Sequence, residues 1–173
     1  MKTTIQNFAF IVLFFSVFVP LSFAKGVYQT TEEFINQVIG EVPKAKVLWL
    51  NAQDKVEIAD ILSHSFNRLR VRYWQADDNT VWVLDEIGKE KPITIGVHIQ
   101  NNQIIELKVL TFRESRGDEV RHDFFTKQFN LAKLTQDNRL TTHIDGITGA
   151  TLSVRALTKV ARLSLWLNNK TLH

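Results

Sequence analysis

The sequence predicts an α+β fold, an antiparallel sheet with packed helices, in a single domain that follows a signal peptide. Three observations carry this. Helix-period segments occupy both ends of the chain and strand-like segments the middle, an order that places helices on an antiparallel sheet. Asn101-Asn102 separates two apolar-rich runs, Pro92 to Gln100 and Gln103 to Phe112, as a hairpin turn does. The closing segment, Thr151 to Leu167, repeats apolar residues at helical spacing through Val154, Leu157, Val160, Ala161, Leu163, Leu165 and Leu167.

Residues 1–24 have the layout of a secretory leader. Lys2 supplies the positive start, Phe8 to Val19 is nearly unbroken apolar sequence, and Ser22-Phe23-Ala24 places small residues where a signal peptidase reads. The apolar run is short beside the ~20 residues that a membrane span needs. Cleavage before Lys25 is expected, and an uncleaved anchor is the alternative.

In the mature chain, Thr30 or Thr31 caps a short helix through Phe34, Ile35, Val38 and Ile39, stopped by Gly40. Pro43 interrupts the chain, and Val47 to Leu50 is extended. Asp54 caps a second helix through Val56, Ile58, Ile61 and Leu62, which ends near His64. Leu69 to Gln75 alternates apolar residues with Arg68, Arg70 and Arg72 as a strand does, and the turn Asp77-Asp78-Asn79 leads into a strand from Thr80 to Ile87. Asp85-Glu86, followed by Lys89-Glu90-Lys91, reads as a solvated turn, and Trp74 and Trp82 as core or sheet-face residues. After the hairpin, Glu119 to Phe129 is helical in pattern and Leu140 to Ile144 is a short extended piece.

Composition narrows the function classes. The 173 residues carry 21 Lys and Arg against 18 Asp and Glu, a formal charge of +3, too balanced to indicate a nucleic-acid partner. With no cysteine, a disulfide, a lipoprotein anchor and c-type haem attachment are excluded. The five histidines are scattered, and none pairs with another at metal-ligand spacing, so no metal site is expected.

The stretch Asp145-Gly146-Ile147-Thr148-Gly149-Ala150-Thr151 draws the eye because the last helix begins at its end. Thr151 heads the wet stripe of that helix, with Arg155, Thr158, Arg162 and Asn169 following at helical spacing, whereas Ser153 points toward the core. Gly149 and Ala150 leave little bulk beside the Thr151 hydroxyl. The unpaired N–H groups of a helix start favour an anion, so the stretch can hold a phosphate. Asp and Thr ahead of an apolar run are also ordinary N-cap residues, and on residue type alone both readings stand. A second stretch, Phe112-Arg113-Glu114-Ser115-Arg116-Gly117, is either a charged surface turn or a partner of the first. Arg113 or Arg116 can pair with a phosphate. Phe124, Phe125 and Phe129 fit either a core or an aromatic wall.

Asp145 to Thr151 resembles the flavinylation motif of FMN-binding domains, which occur in the C subunit of the sodium-pumping NADH:quinone oxidoreductase and the G subunit of the Rnf complex. That motif runs Asp, two variable residues, Ser or Thr, Gly, Ala, then the acceptor Thr or Ser. The resemblance implies FMN joined to Thr151 through a phosphoester, with Asp145, Thr148, Gly149 and Ala150 as the rest of the motif. It also implies a flavin transferase that uses FAD and Mg²⁺. Family members carry Glu-Thr-Pro-Gly after the hairpin; here Glu114 and Gly117 match, Ser115 stands for Thr, and Arg116 departs by replacing Pro. The similarity covers roughly Thr94 to Leu167. It implies an exported electron carrier at the outer face of the inner membrane, serving a membrane-bound redox partner; nothing in the chain suggests a substrate-specific base or nucleophile, which favours a carrier over a free-standing enzyme. The rival is a flavin-free or noncovalent periplasmic interaction module.

Export with cleavage after Ala24 has a direct check: Edman sequencing of the exported protein is expected to begin at Lys25, and a membrane-bound species that retains Met1 would instead establish the anchor.

Overall fold

The computed structural model describes residues 26–172, so the leader and its cleavage site lie outside the described residues. The elements run α1 (Thr31–Ile39), β1 (Lys46–Trp49), α2 (Ala52–Leu62), β2 (Arg70–Ala76), β3 (Asn79–Ile87), β4 (Pro92–Gln100), β5 (Gln103–Thr111), α3 (Asp123–Thr126) and α4 (Thr151–Thr171). The strands form one five-stranded sheet in sequence order, each antiparallel to its neighbour. The expected α+β arrangement is therefore present.

Period-2 alternation sorts the sheet into two faces. Trp82 and Leu84 of β3 and Ile93, Ile95, Val97 and Ile99 of β4 enter the main core with α2 and α4, where Leu157, Val160 and Leu163 lie. Val81 and Leu110 face the other way and pack with Phe34 and Ile35 of α1. The second layer needs Gly96, because a Cβ there would lie 2.5 Å from Phe34 Cε1. The β4–β5 turn is made by Asn101 and Asn102 at φ 51° and 58°, a left-handed pair that asparagine tolerates and a two-residue hairpin favours.

Both early helices start with capping boxes, and Gly40 at φ 85° ends α1. In α1 the Thr30 side chain accepts from Glu33 N–H, and Glu33 accepts from Thr30 N–H. In α2 the same exchange joins Asn51 and Asp54, so the N-cap is Asn51 and Asp54 is its partner at the third helical position, a correction to the expected cap. The expected helix over Glu119 to Phe129 is broken into a 3-10 turn at Asp118–Arg121, the single turn of α3 and a second 3-10 turn at Lys127–Phe129. Leu140 to Ile144 forms no strand; its pairing reduces to one bridge between Leu134 and Leu140. α4 runs four residues beyond its expected end. Among the described residues no helix is long and apolar enough to cross a membrane.

Polar clamps fix the far end of α4. Asp54, buried at the head of α2, lies 2.9 Å from Lys170 Nζ. Trp166 Nε1 donates to Glu57 at 3.1 Å, and Asn168 reaches Asn102 of the hairpin turn at 2.9 Å. Burial alone would raise the Asp54 carboxyl, but the Lys170 ammonium and the Asn51 N–H hold it below its ordinary 3.8. A carboxyl lowered in the folded state contributes stability above its unfolded pKa and loses it as pH falls through the folded value. Asp54→Asn is thus expected to lower the unfolding free energy by about 2 kcal/mol at neutral pH. In urea titrations that deficit should shrink once the pH drops below 3.8.

Candidate functional site

The head of α4 differs from the other two helix starts. Its N-cap is Ala150, at φ −113° and ψ 19°, and no side chain caps it. The first helical bond is from Val154 N–H to Ala150 C=O at 3.0 Å. The N–H groups of Thr151, Leu152 and Ser153 therefore precede the helical ladder, and no acceptor among the described residues takes them. The reading of Thr148 or Asp145 as a helix cap is corrected by this geometry. Asp145 is exposed: its N–H donates to Gln128 Oε1 at 2.7 Å, and its carboxylate lies 3.5 Å from His143 Nε2.

The chain approaches this head through a tight turn in which Ala150 N–H donates to Ile147 C=O at 3.0 Å. Gly149 occupies the third position at φ 86°, as a type II turn requires. No atom lies within 4 Å of where a Cβ would stand on Gly149 or Gly146, so the turn is open. Thr148, Gly149 and Thr151 are exposed, while Ala150 and Ser153 are buried, as the helical phase of the sequence predicts. The wet stripe continues through exposed Arg155 and half-buried Thr158 and Arg162. An accessible hydroxyl beside free N–H groups at the positive end of a 21-residue helix suits a phosphate. The residues present fit the phosphate of FMN.

The structure brings the second stretch to the same place. Gly117 sits at φ 88°, and a Cβ on it would lie 2.7 Å from Ser153 Oγ and 3.4 Å from Ala150 Cβ. The loop after β5 is thus in contact with the head of α4. Glu114 anchors that loop: its Oε1 accepts the backbone N–H groups of Lys89, Glu90 and Lys91 at 2.5, 2.6 and 2.9 Å. Burial would raise this carboxyl, but those three N–H groups and the nearby Lys91 charge hold it below the usual range. Glu114 therefore ties the loop to the β3–β4 turn. Arg113 donates to Pro92 C=O and Thr94 Oγ1 at 3.0 and 2.9 Å, whereas Ser115 and Arg116 are exposed. Of the three phenylalanines, Phe125 and Phe129 are core residues and only Phe124 is exposed.

One cluster escaped the sequence reading. Glu86, expected in a solvated turn, is only 5% exposed and belongs to β3. Its carboxylate lies 3.0 Å from His64 Nε2 and 3.4 Å from Lys159 Nζ of α4. The signal was the alternation Trp82, Leu84, Glu86, which puts all three on the core face. Two clefts flank α4. One of about 700 Å³ is lined by Thr158 and Arg162 together with Arg139, Leu140, His143 and Ile144. The other, of about 590 Å³, contains Glu86. Among the described residues no group of three or more His, Asp or Glu could hold a metal ion.

Contact at Gly117 has a measurable consequence. Gly117→Ala is expected to lower stability by about 2 kcal/mol, from the left-handed backbone and the close approach of Ser153. In a Ser153→Ala background the loss should be smaller, and a thermal double-mutant cycle reads the coupling directly.

No curated protein and no solved structure matches the chain. Residues 88–165 match the family model of the FMN-binding domain, a stretch that spans the Glu114–Gly117 loop, the Asp145–Thr151 motif and most of α4. That stretch accordingly belongs to the FMN-binding domain family and carries a flavin-binding role.

Proposed function

We propose that this protein is an exported flavoprotein with FMN attached to Thr151 by a phosphoester, exchanging electrons with a membrane-associated redox partner. The observation that carries the reading is the uncapped head of α4, with an exposed Thr151 hydroxyl and three N–H groups outside the helical ladder, inside a stretch that matches the FMN-binding domain. Those N–H groups would hold the phosphate oxygens, and the turn at Gly149 leaves the approach to the hydroxyl open.

Attachment needs a flavin transferase with FAD as donor. The bond from Thr151 Oγ to the FMN phosphorus forms as the diphosphate bond of FAD breaks, AMP leaves and the hydroxyl gives up its proton. Bound FMN supplies the electron-transfer chemistry. The chain's own task is to position it: Glu114 and Gly117 fix the loop against the helix head, and Ala150 keeps bulk away from Thr151. A covalent link suits an exported protein, because a dissociated flavin is not replaced outside the cytoplasm. The reading places the protein at the outer face of the inner membrane, as a carrier rather than a free-standing enzyme.

Tryptic peptide masses of protein from its native compartment test the link. The peptide that contains Thr151 is expected to gain the mass of FMN less one water. Thr151→Val should abolish the gain and Ser153→Ala should preserve it. Covalent flavin that persists in Thr151→Val would overturn the assignment. Asp145→Ala should lower the modified fraction.

A further inference from the structure

The cleft that holds Glu86 has the character of a ring-binding site. Its walls are mixed: Leu62, Phe66, Leu84, Ile87, Pro92 and Leu163 give an apolar part, and Asn67, Arg68 and Asp85 add polar groups at the same cleft. Among them stands one buried carboxylate, Glu86, with Lys159 Nζ 3.4 Å from its Oε1 and His64 Nε2 3.0 Å from both of its oxygens. His64 is fixed in turn, since its Nδ1 lies 3.1 Å from Ser65 C=O. His64 thus lies between Ser65 and Glu86. Lys159 keeps further N–H donors, and Glu86 keeps free lone pairs. An apolar cleft with a few convergent polar groups is the usual form of a small-molecule site. Here the groups offer an acceptor beside a donor.

Position links this cleft to Thr151. Lys159 follows Thr151 by eight residues on α4, about 12 Å along the axis at 1.5 Å per residue. Their directions differ by about 80° around the helix. The cleft thus borders the stripe that Thr151 heads. In the rival cleft, beside Arg162, Arg162 Nε donates to Asn138 C=O, and Arg139 pairs with Asp137 at 2.9 Å.

We infer that the Glu86 cleft receives the isoalloxazine ring of the flavin held at Thr151, with its imide edge against Glu86 and Lys159. The assignment rests on the proposed attachment. The edge presents N3–H between two carbonyl oxygens, which matches a carboxylate acceptor next to an ammonium donor. Phe66, Ile87 and Pro92 would cover the ring face. His64 acts on Glu86 as a positioning residue. Glu86, His64 and Phe66 precede the matched stretch, so ring recognition would be a property of this chain's own first half.

The test uses the flavinylated protein and reads flavin fluorescence yield and visible circular dichroism, with the Thr151 peptide mass measured for each variant. In the wild type the yield should be quenched and the dichroism structured. Glu86→Gln and Lys159→Met should each raise the yield severalfold and flatten the dichroism, and Arg162→Met should change neither. Lys159→Met leaves a straight side chain on α4, so it tests the cleft even if Glu86→Gln fails to fold. Modified Thr151 with spectra unchanged in Lys159→Met would overturn the cleft alone. Spectra that respond only to Arg162→Met would assign the ring to the other flank. Unmodified Thr151 in the wild type would overturn the attachment itself and the cleft's role with it.

Discussion

No side chain fits at residue 117, and the arrangement of the site follows from that. The backbone there is left-handed, and the space that a Cβ would occupy belongs to Ser153 and Ala150 at the start of α4. Only glycine meets both demands without strain. Three residues back along the chain, Glu114 places a single carboxylate oxygen on three successive N–H groups of the β3–β4 turn, the kind of concave amide cluster that binds anions. The end of the hairpin, the loop after it and the helix head are thereby one unit, although they come from separate parts of the sequence. The protein's own anion satisfies the amides of the turn. Among the described residues the amides at the helix head have no such partner.

That difference carries weight because this chain caps its other long helices well. α1 and α2 each begin with a reciprocal capping box. Among the described residues α4 is the longest helix, and it begins with Ala150, one of the poorer N-cap residues, at a cost of about 1 kcal/mol relative to Ser, Thr, Asp or Asn. Three candidate capping residues, Asp145, Thr148 and Thr151, lie close by, and none of them caps. Where a sequence obeys a local rule twice and breaks it once at the same kind of position, the exception marks function rather than poor folding. The alanine keeps the helix head open, and the tertiary clamps on α4 make up the stability that a cap would have given.

The sheet was legible because its signal is local and periodic. Pro92 to Gln100 is β4 as predicted, the Asn101-Asn102 turn follows from residue type, and the alternation in β2 and β3 needs no long-range knowledge. The breaks in Glu119 to Phe129 were not legible: Val120, Phe125 and Phe129 are all buried, but they enter the core from three short turns rather than one helical stripe. Glu86 carries conflicting signals, since its charge suggests solvent where its strand phase points inward. Asn51 and Asp54 are hard to tell apart in sequence because both residues of a capping box look like caps. At the site, the small residues and the helix phase were readable. The meeting of Gly117 with Ser153 was not, since it depends on how the hairpin end packs.

The matched stretch does not account for the orientation of the helix that it contains. It ends at Leu165, whereas α4 continues to Thr171, and several clamps on its last turns reach residues that precede the match. Asp54 and Glu57 of α2 hold Lys170 and Trp166, and Asn168 lies 3.5 Å from the indole nitrogen of Trp82 on β3. A helix gripped at its tail has a fixed direction at its head, where the sheet-end loop then meets it through Gly117. β3 has a second role, because it lies between β2 and β4 and covers what would otherwise be an open edge of β4. Residues before 88 therefore complete the sheet, fix α4 and line one of the clefts beside it. The first half of the chain is part of the apparatus that positions Thr151, so the shared stretch marks what is common to the family rather than the unit that folds.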